Sequence, residues 1–154
     1  LARTARGLAA GEPWFTDYGV DLSRGFRALK VWFALKGDGT EALARTIDET
    51  CRLAAYAEAR IRREPELELY APVPMNIVCF GYRAGEASDD LNRSIVVELQ
   101  ESGVAAPSTT TLDGRLAIRA AIVNHRTREA DLDALVDTVL AAGRRLSRTP
   151  TREG

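Results

Sequence analysis

The 154-residue sequence predicts an α+β domain: a small, mainly antiparallel sheet of about four strands with helices packed on one face. Three observations carry that expectation. Apolar residues recur with helical or strand periodicity in the order helix, helix, strand, strand, helix, strand, strand, helix. The links between paired strands are short, and Asp113-Gly114 is a strong hairpin turn signal. The length is that of one domain, able to bury about 70% of the surface its unfolded chain exposes.

Each element has a local reason. Gly11, Pro13 and Gly19 break up the first 22 residues, which read as an extended lead-in. From Phe26 to Leu35 only Arg27 and Lys30 are polar, so the helix there is apolar nearly all round and must be covered on most sides. One small domain cannot easily do that, and part of this surface is expected to meet another domain or subunit. Gly37-Asp38-Gly39 ends the helix and Thr40 is placed to cap the next, whose apolar steps are Leu43, Ile47, Cys51, Ala54, Ala57 and Ile61. Leu67, Leu69 and Ala71 alternate with polar residues as a half-buried strand does, and Pro72 and Pro74 close it. Asn76 to Tyr82 is a nearly continuous apolar run suited to a central strand.

Ser88 is placed to cap a helix carrying Leu91, Ile95 and Leu99, which Gly103 stops. A Thr-rich edge segment with Pro107 precedes the hairpin turn. Arg115 to Val123 is the most regular strand. Leu132, Leu135, Val136, Val139 and Leu140 define the last helix, beyond which a polar tail from Ser147 should fray. The domain organisation expected is therefore lead-in and apolar helix over 1–36, the α+β domain over 37–146 and the tail over 147–154.

Composition excludes several classes. A net charge of -1, from 21 basic and 22 acidic residues, creates no field favouring nucleic acid or an anionic membrane as partner. Cys51 and Cys79 have no second Cys or His at ligand spacing, so neither zinc nor a redox pair is supported and buried free thiols are expected. No apolar run reaches membrane-spanning length and nothing resembles a signal peptide, which leads to the expectation of a reducing cytoplasm. Lys30 and Lys36 are the only lysines, and the Ala- and Arg-rich bias suggests a bacterial coding sequence. The start at LARTARGLAAGEP, without Met, suggests an internal start made by cloning or proteolysis, or a trimmed tag.

Three segments carry a resemblance: WFTDYGVDLSRGFRALKVWFALK (Trp14 to Lys36), MNIVCFGYR (Met75 to Arg83) and DGRLAIRAAIVNHRT (Asp113 to Thr127). In order and spacing they resemble the C-terminal domain of the group II pyridoxal-phosphate-dependent amino-acid decarboxylases, which act on aromatic amino acids, histidine, tyrosine and glutamate. The resemblance covers nearly the whole chain but only the last third or so of such an enzyme. It implies the small C-terminal domain of a fold-type-I enzyme, with pyridoxal phosphate as cofactor. As partners it implies the large N-terminal domain, a second subunit of a homodimer and a small amino-acid substrate, aromatic by preference. In the family, the lysine that holds the cofactor follows a histidine in the larger domain; both lysines here follow Leu. The family's acidic partner for the pyridine nitrogen, its ring-stacking His and its catalytic loop with a Tyr proton donor all precede this stretch. A chain of this extent is expected to be inactive alone, with no catalytic or cofactor-binding residue of its own.

Two residues are candidates for substrate binding. Ser23, between the lead-in and the apolar helix, has the position of an N-cap. The resemblance also implies that it lines the substrate pocket at the dimer interface. Arg119 falls by strand alternation on the face of Ala117, Ala121 and Val123, an apolar row interrupted by one guanidinium, and a buried Arg needs an acceptor. That acceptor is either a carboxylate or carbonyl within the fold or, as the resemblance implies, the substrate α-carboxylate, for which a planar bidentate donor is suited. Arg24, Arg27 and Lys30 form a basic stripe, read as solvated or salt-bridged. His125 reads as an exposed loop residue. The rival to an enzyme domain is a free-standing α+β interaction or small-ligand module, since fold alone does not fix function.

Overall fold

The structure, a computed structural model, describes Tyr18 and residues 25–85 and 88–148. The chain divides into two compact units, Leu1–Thr40 and Glu41–Gly154. Ser23, Arg24 and Trp14 lie outside the described residues.

The first unit contributes helix α1, Ala28–Gly37. Its end is set locally. Asp38 N–H donates to Ala34 O at 2.9 Å, and Gly39 takes φ 78°, a left-handed conformation that glycine adopts at no steric cost. Trp32 and Phe33 meet edge to face with ring centroids 5.2 Å apart. None of the α1 residues is buried, and Phe26 is 73% exposed. Arg27 and Lys30 are exposed together with the rest of α1.

The second unit holds α2 (Gly39–Arg62, whose first turn begins in the first unit), β1 (Leu67–Leu69), β2 (Ile77–Tyr82), α3 (Ser88–Ser102), β3 (Ser108–Leu112), β4 (Arg115–Ala121) and α4 (Glu129–Leu146). The strands form one sheet in the order β1-β2-β4-β3, every neighbour antiparallel. This is the predicted α+β architecture. Asp113 and Gly114 have φ 49° and 78°, the two positive values a tight two-residue hairpin requires. One sheet face, with Val78, Phe80, Ile118 and Ala120, joins Ile95 and Leu99 of α3 and Leu135, Val136 and Val139 of α4 in a single core. Leu53, Ala54, Ala57 and Ile61 bring α2 into the same core. Among the described residues no helix is long and apolar enough to cross a membrane.

Polar contacts fix how the elements dock. Arg52 Nη1 donates to Glu129 (2.6 Å), Tyr56 Oη to Asp133 (3.0 Å) and Arg60 Nη2 to Asp137 (2.7 Å), each pair 77 residues apart. A constant separation means that α2 and α4 run parallel, joined by one rung per helical turn. Gly143 of α4 gives room to the Tyr82 ring, which a Cβ there would approach to 2.3 Å. Glu66 accepts from Tyr82 Oη at 2.7 Å and from Arg144 Nε at 2.9 Å, tying α4 to the start of β1.

Arg144 first, and Tyr82 second, hold the Glu66 carboxyl below the usual range. A lowered folded value contributes stability that is present above the unfolded value, about 4.5, and is lost as pH falls through the folded value. Glu66→Gln should therefore lower Tm at neutral pH and flatten the acid limb of Tm against pH. Parallel acid limbs for both proteins would show that the pair contributes nothing.

Several sequence expectations shift. Thr40 lies inside α2, which starts at Gly39 rather than after a threonine cap. Ser88 does not cap α3: its hydroxyl accepts from Ala84 N–H (2.9 Å) and donates to Gly85 O (2.8 Å), stitching the loop behind the helix. Leu43 and Ile47, read as core, are about half exposed, because the first turns of α2 reach past the buried stretch that starts at Thr50. Cys51 and Cys79 are free but only half buried. β4 ends at Ala121, two residues early, although Ile122 N–H still donates to Asn76 O. The tail beyond Arg148 lies outside the described residues.

Candidate functional site

Strand alternation divides β4 between two environments. Leu116, Ile118 and Ala120 enter the helix-covered core, so Arg115, Ala117, Arg119 and Ala121 take the opposite face. Arg119 sits in a cross-sheet row, paired with Cys79 of β2 on one side and Ser108 of β3 on the other. Its Nη1 donates to Ser108 Oγ at 3.4 Å, and Ser108 Oγ donates back to Arg119 O at 3.5 Å.

This corrects the buried arginine expected from the sequence. Arg119 is half buried; on the same face Ala117 is fully buried, Ala121 is exposed, and Val123 beyond the strand is 75% exposed. The row faces away from the core because the alternate residues of β4 are the ones that meet α3. No carboxylate of the described residues pairs with Arg119; a serine hydroxyl is its acceptor. Arg115 behaves differently. It forms a bidentate pair with Glu68 (3.1 and 2.9 Å) and lies 4.0 Å from the centre of the Tyr70 ring. A guanidinium offers five N–H donors, so Arg115 is committed within the fold while Arg119 keeps most of its donors available. An arginine with spare donors, on the sheet row next to the one that pairs half-exposed Ile77 with Ala121 on the same face, suits a small carboxylate carrying an apolar group.

Cys79 adds no nucleophile to this row. Burial pushes its thiol up, and the opposing pull of the Arg119 charge is the smaller effect. A concavity of about 330 Å³ lies between α2 and the loop after β4, lined by Ala42, Arg45, Thr46, Glu49, Thr50, Leu53, Asn124 and His125. Its polar groups are largely engaged already. Thr46 and Thr50 donate to carbonyls of their own helix, and Arg52 holds the Glu49 carboxyl low. His125 is exposed in its loop, as expected. Among the described residues no cluster of His, Cys, Asp and Glu is arranged to hold a metal.

The sequence reading missed Ser108, though the signal was present. A two-residue loop at Asp113-Gly114 places Leu112 opposite Arg115, and counting back along both strands sets Ser108 opposite Arg119.

Comparison with known proteins decides the family. The profile of the pyridoxal-dependent decarboxylase conserved domain matches residues 10–83. The aromatic-L-amino-acid decarboxylase of Bacillus atrophaeus is 32% identical over 142 residues, covering 89% of this chain and 30% of that protein. The chain belongs to the pyridoxal-dependent decarboxylase family. Tyrosine decarboxylase 4 of Petroselinum crispum is 30% identical over 147 residues, covering 83% of this chain and 29% of that protein. The crystal structure of Oryza sativa TDC with PLP and tryptamine superposes with a TM-score of 0.74 at 25% identity, covering 86% of this chain and 30% of that one. The chain thus spans about 30% of the length of these decarboxylases.

The residues present do not by themselves fit the family's cofactor. Lys30 and Lys36 are the only lysines, and both are exposed on α1. Neither the Arg119 row nor the α2 concavity contains a lysine.

Proposed function

We propose that this chain is the C-terminal part of a decarboxylase that converts an L-amino acid, aromatic by preference, to its amine and CO2. The observation that carries the proposal is Arg119, a guanidinium with spare donors and no carboxylate partner among the described residues. Its place in a family whose relatives include aromatic and tyrosine decarboxylases supplies the reaction class. No residue of this chain would hold pyridoxal phosphate; a lysine of the large domain would, and the bound cofactor would then supply the electron sink for decarboxylation. Arg119 receives the α-carboxylate and orients it, and Ser23 lines the substrate pocket. A decarboxylase gains nothing by holding the departing carboxylate tightly, so Arg119 acts in positioning. α1, apolar on nearly all sides, is covered by the large domain or by the second subunit of a homodimer. The enzyme works in the cytoplasm, and this chain alone is inactive.

The full-length protein loaded with pyridoxal phosphate should release CO2 from aromatic L-amino acids, whereas the 154-residue chain should release none. Borohydride treatment of the chain with the cofactor should leave only scattered, substoichiometric labelling. Selective, stoichiometric labelling of Lys30 or Lys36 would overturn the reading of an incomplete catalytic unit.

Ser23→Gly in the full-length enzyme distinguishes pocket from cap. A pocket residue predicts a shift of about 1–3 kcal/mol in the ratio of kcat/KM between a bulky aromatic and an imidazole substrate. A cap predicts a few tenths of a kcal/mol of stability and an unchanged ratio.

A further inference from the structure

We propose that Ser108 is a positioning residue for Arg119, fixing one end of the guanidinium so that its remaining donors face a carboxylate ligand; this rests on the reading of Arg119 given above. Arginine carries more rotamer freedom than almost any other side chain, and an unrestrained guanidinium would lose that freedom on binding. In the row across the sheet, Cys79 offers only a weak acceptor on one side. Ser108 offers a hydroxyl on the other, and it engages both the Arg119 guanidinium and the Arg119 carbonyl. The tight turn at Asp113-Gly114 holds β3 in register, so the hydroxyl is delivered by backbone geometry rather than by a mobile loop. At 3.4 Å the contact is long for a hydrogen bond, which suits a hold that tightens when the guanidinium is loaded. The remaining acceptors near β4 are occupied elsewhere: Glu68 by Arg115, and Asp89 by Leu116 N–H at 2.9 Å.

The test uses two probes on the full-length, cofactor-loaded enzyme. Phenylpropanoate has the substrate's carboxylate without its amine, and phenylethylamine has the amine without the carboxylate. Titration calorimetry should find Ser108→Ala binding phenylpropanoate about two- to tenfold more weakly, the net effect of one modest hydrogen bond, with phenylethylamine unchanged. Ser108→Thr, which keeps the hydroxyl, should restore the affinity. In an Arg119→Ala background, Ser108→Ala should have no further effect on phenylpropanoate. Equal weakening of both probes, or an effect of Ser108→Ala that persists without Arg119, would overturn the positioning role. If Arg119→Ala weakens phenylpropanoate and Ser108→Ala does not, only the positioning role fails. If Arg119→Ala leaves phenylpropanoate binding intact, the carboxylate reading of Arg119 fails and the inference falls with it.

Discussion

Asn92→Leu should destabilise the fold by about 2–5 kcal/mol, a large share of the roughly 5–15 kcal/mol available to a domain of this size. Asn92 lies on α3 with no exposed surface, and its amide enters the sheet where β2 and β4 part. Oδ1 accepts from Tyr82 N–H at 2.8 Å, and Nδ2 donates to Leu116 O at 3.0 Å. Those two backbone groups would otherwise extend the ladder beyond the Phe80–Ile118 pair. The amide replaces a rung, and Leu116 N–H turns instead to Asp89.

Gly81 makes the insertion possible. A Cβ there would lie 2.4 Å from the Tyr70 hydroxyl and 2.7 Å from Asn92 Nδ2. An aliphatic replacement at 92 leaves a buried donor and a buried acceptor unpaired, each costing about 1–3 kcal/mol. Asn92→Asp keeps the acceptor but loses the donor and buries a charge, so it should be no better tolerated. Urea denaturation reads the effect. A loss below about 1 kcal/mol in the Leu variant would mean that water reaches the gap and satisfies both groups.

The contrast between Asn92 and its surroundings shows what was legible from sequence. Apolar spacing located α2, α3, α4, β1 and β4, and continuous apolar runs located α1 and β2, because burial acts on local side-chain pattern; β3 was read instead from a Thr-rich segment ahead of the turn. The hairpin was legible because Asp113-Gly114 leaves few alternatives. Asn92 was not, since a polar residue inside a helical pattern normally faces solvent, and only the parting of two distant strands gives it partners. The α2–α4 rungs were half legible. Arg52, Tyr56 and Arg60 recur every fourth residue, as do Glu129, Asp133 and Asp137, but nothing local says that the two series meet. Arg119 was placed on the correct alternating set and assigned the wrong environment. Alternation tells which residues share a face of β4; it does not tell which face the helices cover, and Ala117 and Ala121 are too small to decide it by hydrophobicity.

Arg119→Ala in the full-length enzyme should lower kcat/KM by about 2–4 kcal/mol, roughly thirty- to a thousandfold, while changing stability by no more than about 0.5 kcal/mol. The two parts of this expectation come from different observations. A structural arginine would be paired with a carboxylate of its own fold, and its removal would leave that partner uncompensated, as removal of Arg115 would do to Glu68. Among the described residues the Arg119 guanidinium hydrogen-bonds only to the Ser108 hydroxyl, a group exposed enough to turn to water. Little stability is at stake.

A substrate carboxylate, by contrast, loses a charge-assisted and geometrically matched donor pair, and the loss appears in catalysis. Arg119→Lys should recover little, because an ammonium cannot reproduce the planar fork. The outcome is read from kcat/KM and from the denaturation midpoint measured on the same variant. Near-normal kinetics with a large stability loss would make the residue a strut of the sheet and remove it from the substrate site.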